Sequence, residues 1–222
     1  MDLETAIEAL PVGEYPIVGG ARLRASWAGK CARQVSYLVE GVKQQPVAAS
    51  SRIAFAVGDG VHALVQHALG LMYPLGHAEE PALLCAHDDY AHPCAPGPPD
   101  GGTLIGCHAD FATGETVWEI KTVQTFGFRQ GPQAHHLVQA GLSALALDVP
   151  TIELVYVDKA KGAIASYAVH TETVAAMVIE EAARLAGVLA GPGEAPKIDP
   201  HQGHWQCRYC PFTHHCSRDP RP

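Results

Sequence analysis

No stretch of this 222-residue sequence is long and apolar enough to cross a bilayer: the most apolar segment, residues 142–157, is broken by Asp148, Pro150 and Glu153. Charged residues are few, 17% of the chain against 47% hydrophobic, which excludes a disordered polymer and predicts a buried core. Base is scarcer than acid. With 15 Lys and Arg against 23 Asp and Glu, the formal net charge is −8, so a protein that coats nucleic acid through a generally basic surface is disfavoured, while a local basic channel stays compatible. The opening Met1-Asp2-Leu3-Glu4 carries acid where a secretory signal carries base, so the expectation is a soluble, cytoplasmic protein with no membrane partner.

What is present divides along the chain. Residues 1–20 read as an extended lead-in. A short helix is expected over Ser26–Glu40, with Ser26 as N-cap and Gly41 closing it, and a longer one over Arg52–Met72. In the second, Ile53, Val57, Val61, Leu64, Val65, Ala68 and Leu71 are read as one apolar face. A strand is expected over Ala82–His87, then a Pro- and Gly-rich loop to Gly102. Strands Thr103–Phe111 and Thr116–Thr122 form a hairpin, followed by a helix over Gln133–Leu147. Strands Thr151–Val157 and Ala163–Val169 lead to a helix over Thr171–Ala190 with Thr171 as N-cap. That order predicts a single α/β domain, 1–222, with a mixed sheet.

Seven cysteines are an odd number, and in the expected compartment they serve more often as metal ligands or buried thiols than as disulfides. Cys207, Cys210 and Cys216 form C-x2-C-x5-C, a spacing that lets neighbouring thiolates share one metal centre. Cys31 is the best fourth ligand, because Lys30 and Arg33 beside it favour thiolate. Residues 26–41 and 200–217 would then form one cysteine region. Cys85 and Cys107 read as ordinary core residues and Cys94 as a loop residue. Spacing alone leaves zinc and an iron–sulfur cluster both open.

A second constellation joins Asp110 to Glu119-Ile120-Lys121 across the hairpin. Alternation along a strand puts Glu119 and Lys121 on one face. Two carboxylates on adjacent strands suit Mg²⁺ or Mn²⁺, and a lysine beside them can orient water or stabilise charge on a phosphate. His62, in Gly58-Asp59-Gly60-Val61-His62, is a candidate to complete the ligand set, the two glycines suggesting close backbone approach. Gln139 borders the apolar stripe of its helix and can reach into such a site.

Taken in order, these pieces resemble the RecB-like branch of the PD-(D/E)XK nucleases, of the iron–sulfur CRISPR-associated exonuclease type and its phage-encoded relatives. The resemblance rests on Cys31-Ala32-Arg33-Gln34-Val35-Ser36-Tyr37, Gly58 to His62, Gly106 to Asp110, Glu119-Ile120-Lys121, Gln139 and the closing Cys207 to Cys216. The sequence departs from the family at Ser143, where an aromatic is usual, at Ala109, where proline is usual, and in the Gly106-to-Asp110 spacing.

The resemblance implies a restriction-endonuclease-like core and hydrolysis of DNA phosphodiesters by an exonuclease preferring single strands. It implies that His62, Asp110, Glu119 and the Ile120 carbonyl bind Mg²⁺ or Mn²⁺ and that Lys121 is catalytic, with Gln139 assisting. It also implies a structural [4Fe–4S] cluster on Cys31, Cys207, Cys210 and Cys216, and DNA, recombination or CRISPR-adaptation proteins as partners. Arg22, Arg24, Lys30, Arg33, Arg129, Arg208 and Arg218 are candidates for a positive path, and Tyr37, Trp205 and Tyr209 either for base stacking or, equally, for packing in the core or around the cluster. The alternative is a non-catalytic, metal-stabilised DNA-binding or adaptor subunit on the same fold.

Overall fold

The computed structural model describes residues 2–9, 18–94, 102–198 and 205–218. Its elements in chain order are α1 (Leu3–Ala9), β1 (Leu23–Arg24), α2 (Ala32–Val39), α3 (Ala49–Met72), β2 (His77–Ala86), β3 (Ala91–Pro93), β4 (Thr103–Ala112) and β5 (Thr116–Val123). There follow α4 (Thr125–Phe128), α5 (Ala134–Leu147), β6 (Thr151–Asp158), β7 (Ile164–His170), α6 (Thr171–Ala190), α7 (Trp205–Arg208) and α8 (Thr213–Cys216). Seven strands make one mixed sheet in the order β3-β2-β4-β5-β6-β7, with β1 pairing β4 beside this path. The β1–β4 and β5–β6 pairs are parallel and the rest antiparallel.

Helices α5 and α6 cover one side of the sheet. Val138, Leu142, Val178 and Leu185 join Leu84, Ile105, Ile152 and Leu154 in the main core. A Cβ at Gly141 would collide with Val178, so glycine is what lets α5 and α6 pack this closely. Helix α3 lies against a second core of Phe111, Trp118, Ile120, Val155 and Val157.

One edge of β4 serves two neighbours. β2 runs along its other edge from Thr103 to Ala112. On the shared edge, β5 pairs only at Phe111 and Ala112, and β1 only at Ile105 and Gly106. The strands between these contacts are splayed, and the gap is where the candidate site lies.

Several expectations need correction. The described start of the lead-in is helical, α1, and residues 10–17 lie outside the described residues. The helix expected over Ser26–Glu40 is a 3-10 turn, Ala25–Trp27, followed by α2, which Cys31 precedes as N-cap. Gly29, at φ +69°, makes the break between them, and a side chain there would run into His135. β2 begins at His77, five residues before the expected start, and His92 lies in β3 rather than in a loop. Thr171 is the first helical residue of α6; His170 occupies the N-cap position without a side-chain capping bond, and the Thr171 hydroxyl donates to the Val149 carbonyl at 2.9 Å.

The seven apolar residues assigned to one face of α3 lie on two. Val61 and Val65 pack inward, whereas Ile53, Val57 and Leu64 are exposed, as are Ala68 and Leu71. Cys85 is not a lone core thiol but is disulfide-bonded to Cys94, which the β2–β3 pairing brings next to it. Among the described residues no helix is long and apolar enough to span a membrane.

Candidate functional site

The opening between β4 and β5 is a cavity of about 240 Å³. It is lined by His62, Asp110, Glu119, Lys121 and Gln139, together with Arg24, Asp59, Glu79 and His108 among others. Four elements deliver the five residues singled out from the sequence: α3, β4, β5 and α5.

Asp110 is where β4 and β5 stop pairing. Its Oδ2 accepts the Ile120 N–H at 2.6 Å, so a side chain takes the place of a strand carbonyl. Its Oδ1 lies 3.5 Å from His62 Nδ1. Burial works against protonating His62, but the hydrogen bond and charge of Asp110 outweigh it and raise the imidazole pKa.

Glu119 is fully buried, and Lys121 is mostly buried with its side chain 20% exposed. Lys121 Nζ donates to Glu119 Oε1 at 2.5 Å and to Gln139 Oε1 at 3.1 Å, while Gln139 Nε2 donates to the same Glu119 oxygen at 2.6 Å. The three side chains form a closed triangle. Burial pushes the Glu119 carboxyl up to about 7 against the pull of Lys121, and nearby Asp110 adds to the rise. For Lys121, burial favours the neutral amine, but the charge of Glu119 wins and the ammonium is held. Glu119 Oε2 is buried with no hydrogen-bond partner among the described residues.

Sequence reasoning missed two residues here. Glu79, on β2, has φ +53°, a left-handed backbone that costs a non-glycine residue about 1–2 kcal/mol. Gln66 Nε2 donates to Glu79 Oε1 at 2.5 Å and to the Asp110 carbonyl at 2.9 Å, tying α3 to both strands. Nothing in the local sequence marks Glu79. Gln66 stands four residues after His62, and that spacing placed it on the same helical face.

Gly58 does meet a neighbour, since a Cβ there would lie 3.3 Å from Thr122 Oγ1, but the space around Gly60 is open. Of the basic candidates, Arg24 lines the cavity, while Arg33 is fully buried, its Nε donating to the Ala195 carbonyl at 2.6 Å. Tyr37 is buried as well, its ring against Phe212 and His215, and so is withdrawn from base stacking; Trp205 and Tyr209 are exposed.

The second constellation also converges. Cys31, Cys207, Cys210 and Cys216 line one small cavity of about 30 Å³, and none of the four is in a disulfide. Gln206 fastens the tail to the opposite segment: its Oε1 accepts the Cys31 N–H and its Nε2 donates to the Gly29 carbonyl, both at 2.7 Å. Burial raises the Cys210 pKa, and Cys31, Cys216 and Cys207 push the same way. Lys30 stands between the two constellations: burial and the charge of Lys121 lower its pKa, while Cys210 opposes them. Residues 200–204 of the expected cysteine region lie outside the described residues.

Among the described residues, no three His, Cys, Asp or Glu side chains are placed to hold a metal ion as they stand. At the carboxylates, protein donors already take Glu119 Oε1 and Asp110 Oδ2.

No protein-family model matches the sequence, and neither does any curated protein. Among solved structures, that of an alkaline exonuclease from Laribacter hongkongensis aligns with a TM-score of 0.45 at 11% identity, over 77% of this chain and 88% of that one. The crystal structure of SSO0001 aligns with a TM-score of 0.60 at 20% identity, over 93% of this chain and 88% of that one. This chain therefore shares the fold of SSO0001 over nearly its whole length.

Proposed function

We propose that the chain is a Mg²⁺- or Mn²⁺-dependent deoxyribonuclease, an exonuclease acting preferentially on single-stranded DNA and stapled by a [4Fe–4S] cluster. The observation that carries this reading is the buried Glu119 oxygen without a partner, set in a cavity shared with Asp110, His62 and Lys121. A buried carboxylate oxygen left unpaired is costly, and a hard divalent cation is the group that suits it. His62, Asp110, Glu119 and the Ile120 carbonyl would hold the ion. When bound, such an ion lowers the pKa of water and neutralises phosphate charge.

The remaining work falls to the chain itself. Lys121, kept protonated beside Glu119, brings a fixed positive charge to the scissile phosphate and orients the attacking water. Gln139 holds Lys121 and Glu119 in register, and Arg24 adds positive charge to the wall where an anionic substrate enters. Four cysteines around one cavity, none of them in a disulfide, are a donor set suited to an iron–sulfur cluster, which would clamp the tail to α2. Recombination or CRISPR-adaptation proteins are the partners that fit such an activity.

The test is cleavage of end-labelled single- and double-stranded DNA with Mn²⁺, with Mg²⁺ and with chelator. Lys121→Ala should lose about 10²-fold or more in rate with its circular dichroism unchanged. Full activity in that variant, or in chelator, would remove the proposal. DNA binding without cleavage by the wild type would favour the adaptor reading. Iron and acid-labile sulfide in anaerobically purified protein are expected; zinc in their place would replace the cluster.

A further inference from the structure

Helix α3 is apolar on two sides about 120° apart. Val61, Val65 and Leu69 face Phe111, Trp118 and Ile120. Turned away from them are Ile53, Val57, Leu64 and Leu71, exposed by 53, 48, 68 and 73% respectively. A helix with one buried face ordinarily shows charge to water on the other. With Gly60 and His67, these four recur at alternating steps of four and three residues, the 3.5-residue period of a helix–helix seam. The seam contains no Asp, Glu, Lys or Arg.

We propose that this seam docks a second copy of the chain, two α3 helices lying antiparallel about a twofold axis near residue 62. That axis sets Ile53 against Leu71, Val57 against His67, and Gly60 against Leu64, each pair occurring twice. The central pair is complementary in shape. A Cβ on Gly60 would meet nothing within 4 Å, so the helix surface is hollow there, and Leu64 is the projecting side chain that fills such a hollow. An isologous contact needs this self-complementarity within one surface.

Area and charge agree with a second copy as the occupant. From Ile53 to Leu71 the seam spans about 27 Å. A seam of that length buries on the order of 500 Å² per chain, about the 1,000 Å² in total that a specific interface needs. Two chains of net charge −8 repel one another, and an uncharged stripe is where they approach at least cost. His62 points to the opposite side of the helix, so pairing leaves the candidate site free.

Light scattering of the full chain under reductant, at about 50 µM, tests this. The wild type should run at twice the 23.5 kDa chain mass. Leu64→Glu should run at the chain mass with unchanged circular dichroism, and so should Gly60→Lys. An equimolar mixture of the two variants should recover a dimer, because residue 60 of one copy meets residue 64 of the other. A monomeric wild type, a Leu64→Glu protein that still dimerises, or two monomeric variants that fail to recombine would overturn the proposal.

Discussion

Glu79 and Asp110 face each other across β2 and β4, and theirs is the one position between His77 and Ala86 at which the ladder is skipped. The positive φ of Glu79 takes its backbone out of the strand, and Gln66 bridges its carboxylate to the Asp110 carbonyl in compensation. In an ordinary strand glycine is the less stable choice relative to alanine. Here Glu79→Gly should melt above Glu79→Ala, by about 1 kcal/mol, and thermal denaturation of the pair reads this directly. Equal melting, or the usual order, would show that the left-handed backbone is not held in solution.

Gln139 contacts both members of the directly bonded Glu119–Lys121 pair, so removing it should loosen their alignment without opening the core. Gln139→Leu is expected to slow DNA hydrolysis about 10- to 100-fold while Tm shifts by a few degrees at most. Unchanged kinetics would mean that Glu119 and Lys121 need no third partner.

His136 supplies a pH dependence separate from the carboxylates. Burial, then the charges of Lys121 and His135, push its pKa down to about 3, and its Nδ1 lies 2.8 Å from the Tyr156 hydroxyl. Between the unfolded value near 6.5 and that lowered value, the unfolded chain binds a proton that the folded chain refuses. Stability should therefore fall as pH drops below about 6.5 towards 3. Urea denaturation at pH 7.5 and pH 5 should show a smaller loss for His136→Gln than for the wild type. Parallel losses would exclude His136 as a contributor.

Ser143 is fully buried in α5, and its hydroxyl has no hydrogen-bond partner among the described residues. Ser143→Ala removes that unpaired group and should raise stability by about 1 kcal/mol, a gain in Tm of ~2–4 °C for a chain of this size. A lower Tm would reveal a partner for the hydroxyl.

The parts of the fold that were legible were those written in local chemistry. The span of α6 was placed correctly, with Gly191 closing it although Thr171 is not its N-cap, and the turn after β6 was marked by Asp158, whose Oδ1 accepts the Ala160 and Lys161 N–H groups. The five site residues were legible because residue type and order survive in the sequence, whereas their hydrogen-bonded triangle is tertiary. Glu79 was invisible because its role follows from a backbone angle rather than from its neighbours. Arg33 was assigned to a positive surface path because a cation usually stays there, while Tyr37 was left open between base stacking and core packing. The Ala195 carbonyl and the packing of Phe212 and His215, from the far end of the chain, bury both. α3 misled through its composition: apolar residues all round the helix cannot be sorted by periodicity alone into those facing the core and those facing outward.

The forked edge of β4 also bears on synthesis. The walls of the opening come from β1, α3, β2, β4, β5 and α5, a span that closes only at Gln139. A nascent chain that has emerged no further than β5 lacks Gln139, the side chain that braces the Glu119–Lys121 pair. If the site hydrolyses DNA as proposed, a growing polypeptide would stay inert towards nearby nucleic acid until α5 has left the ribosome and folded back.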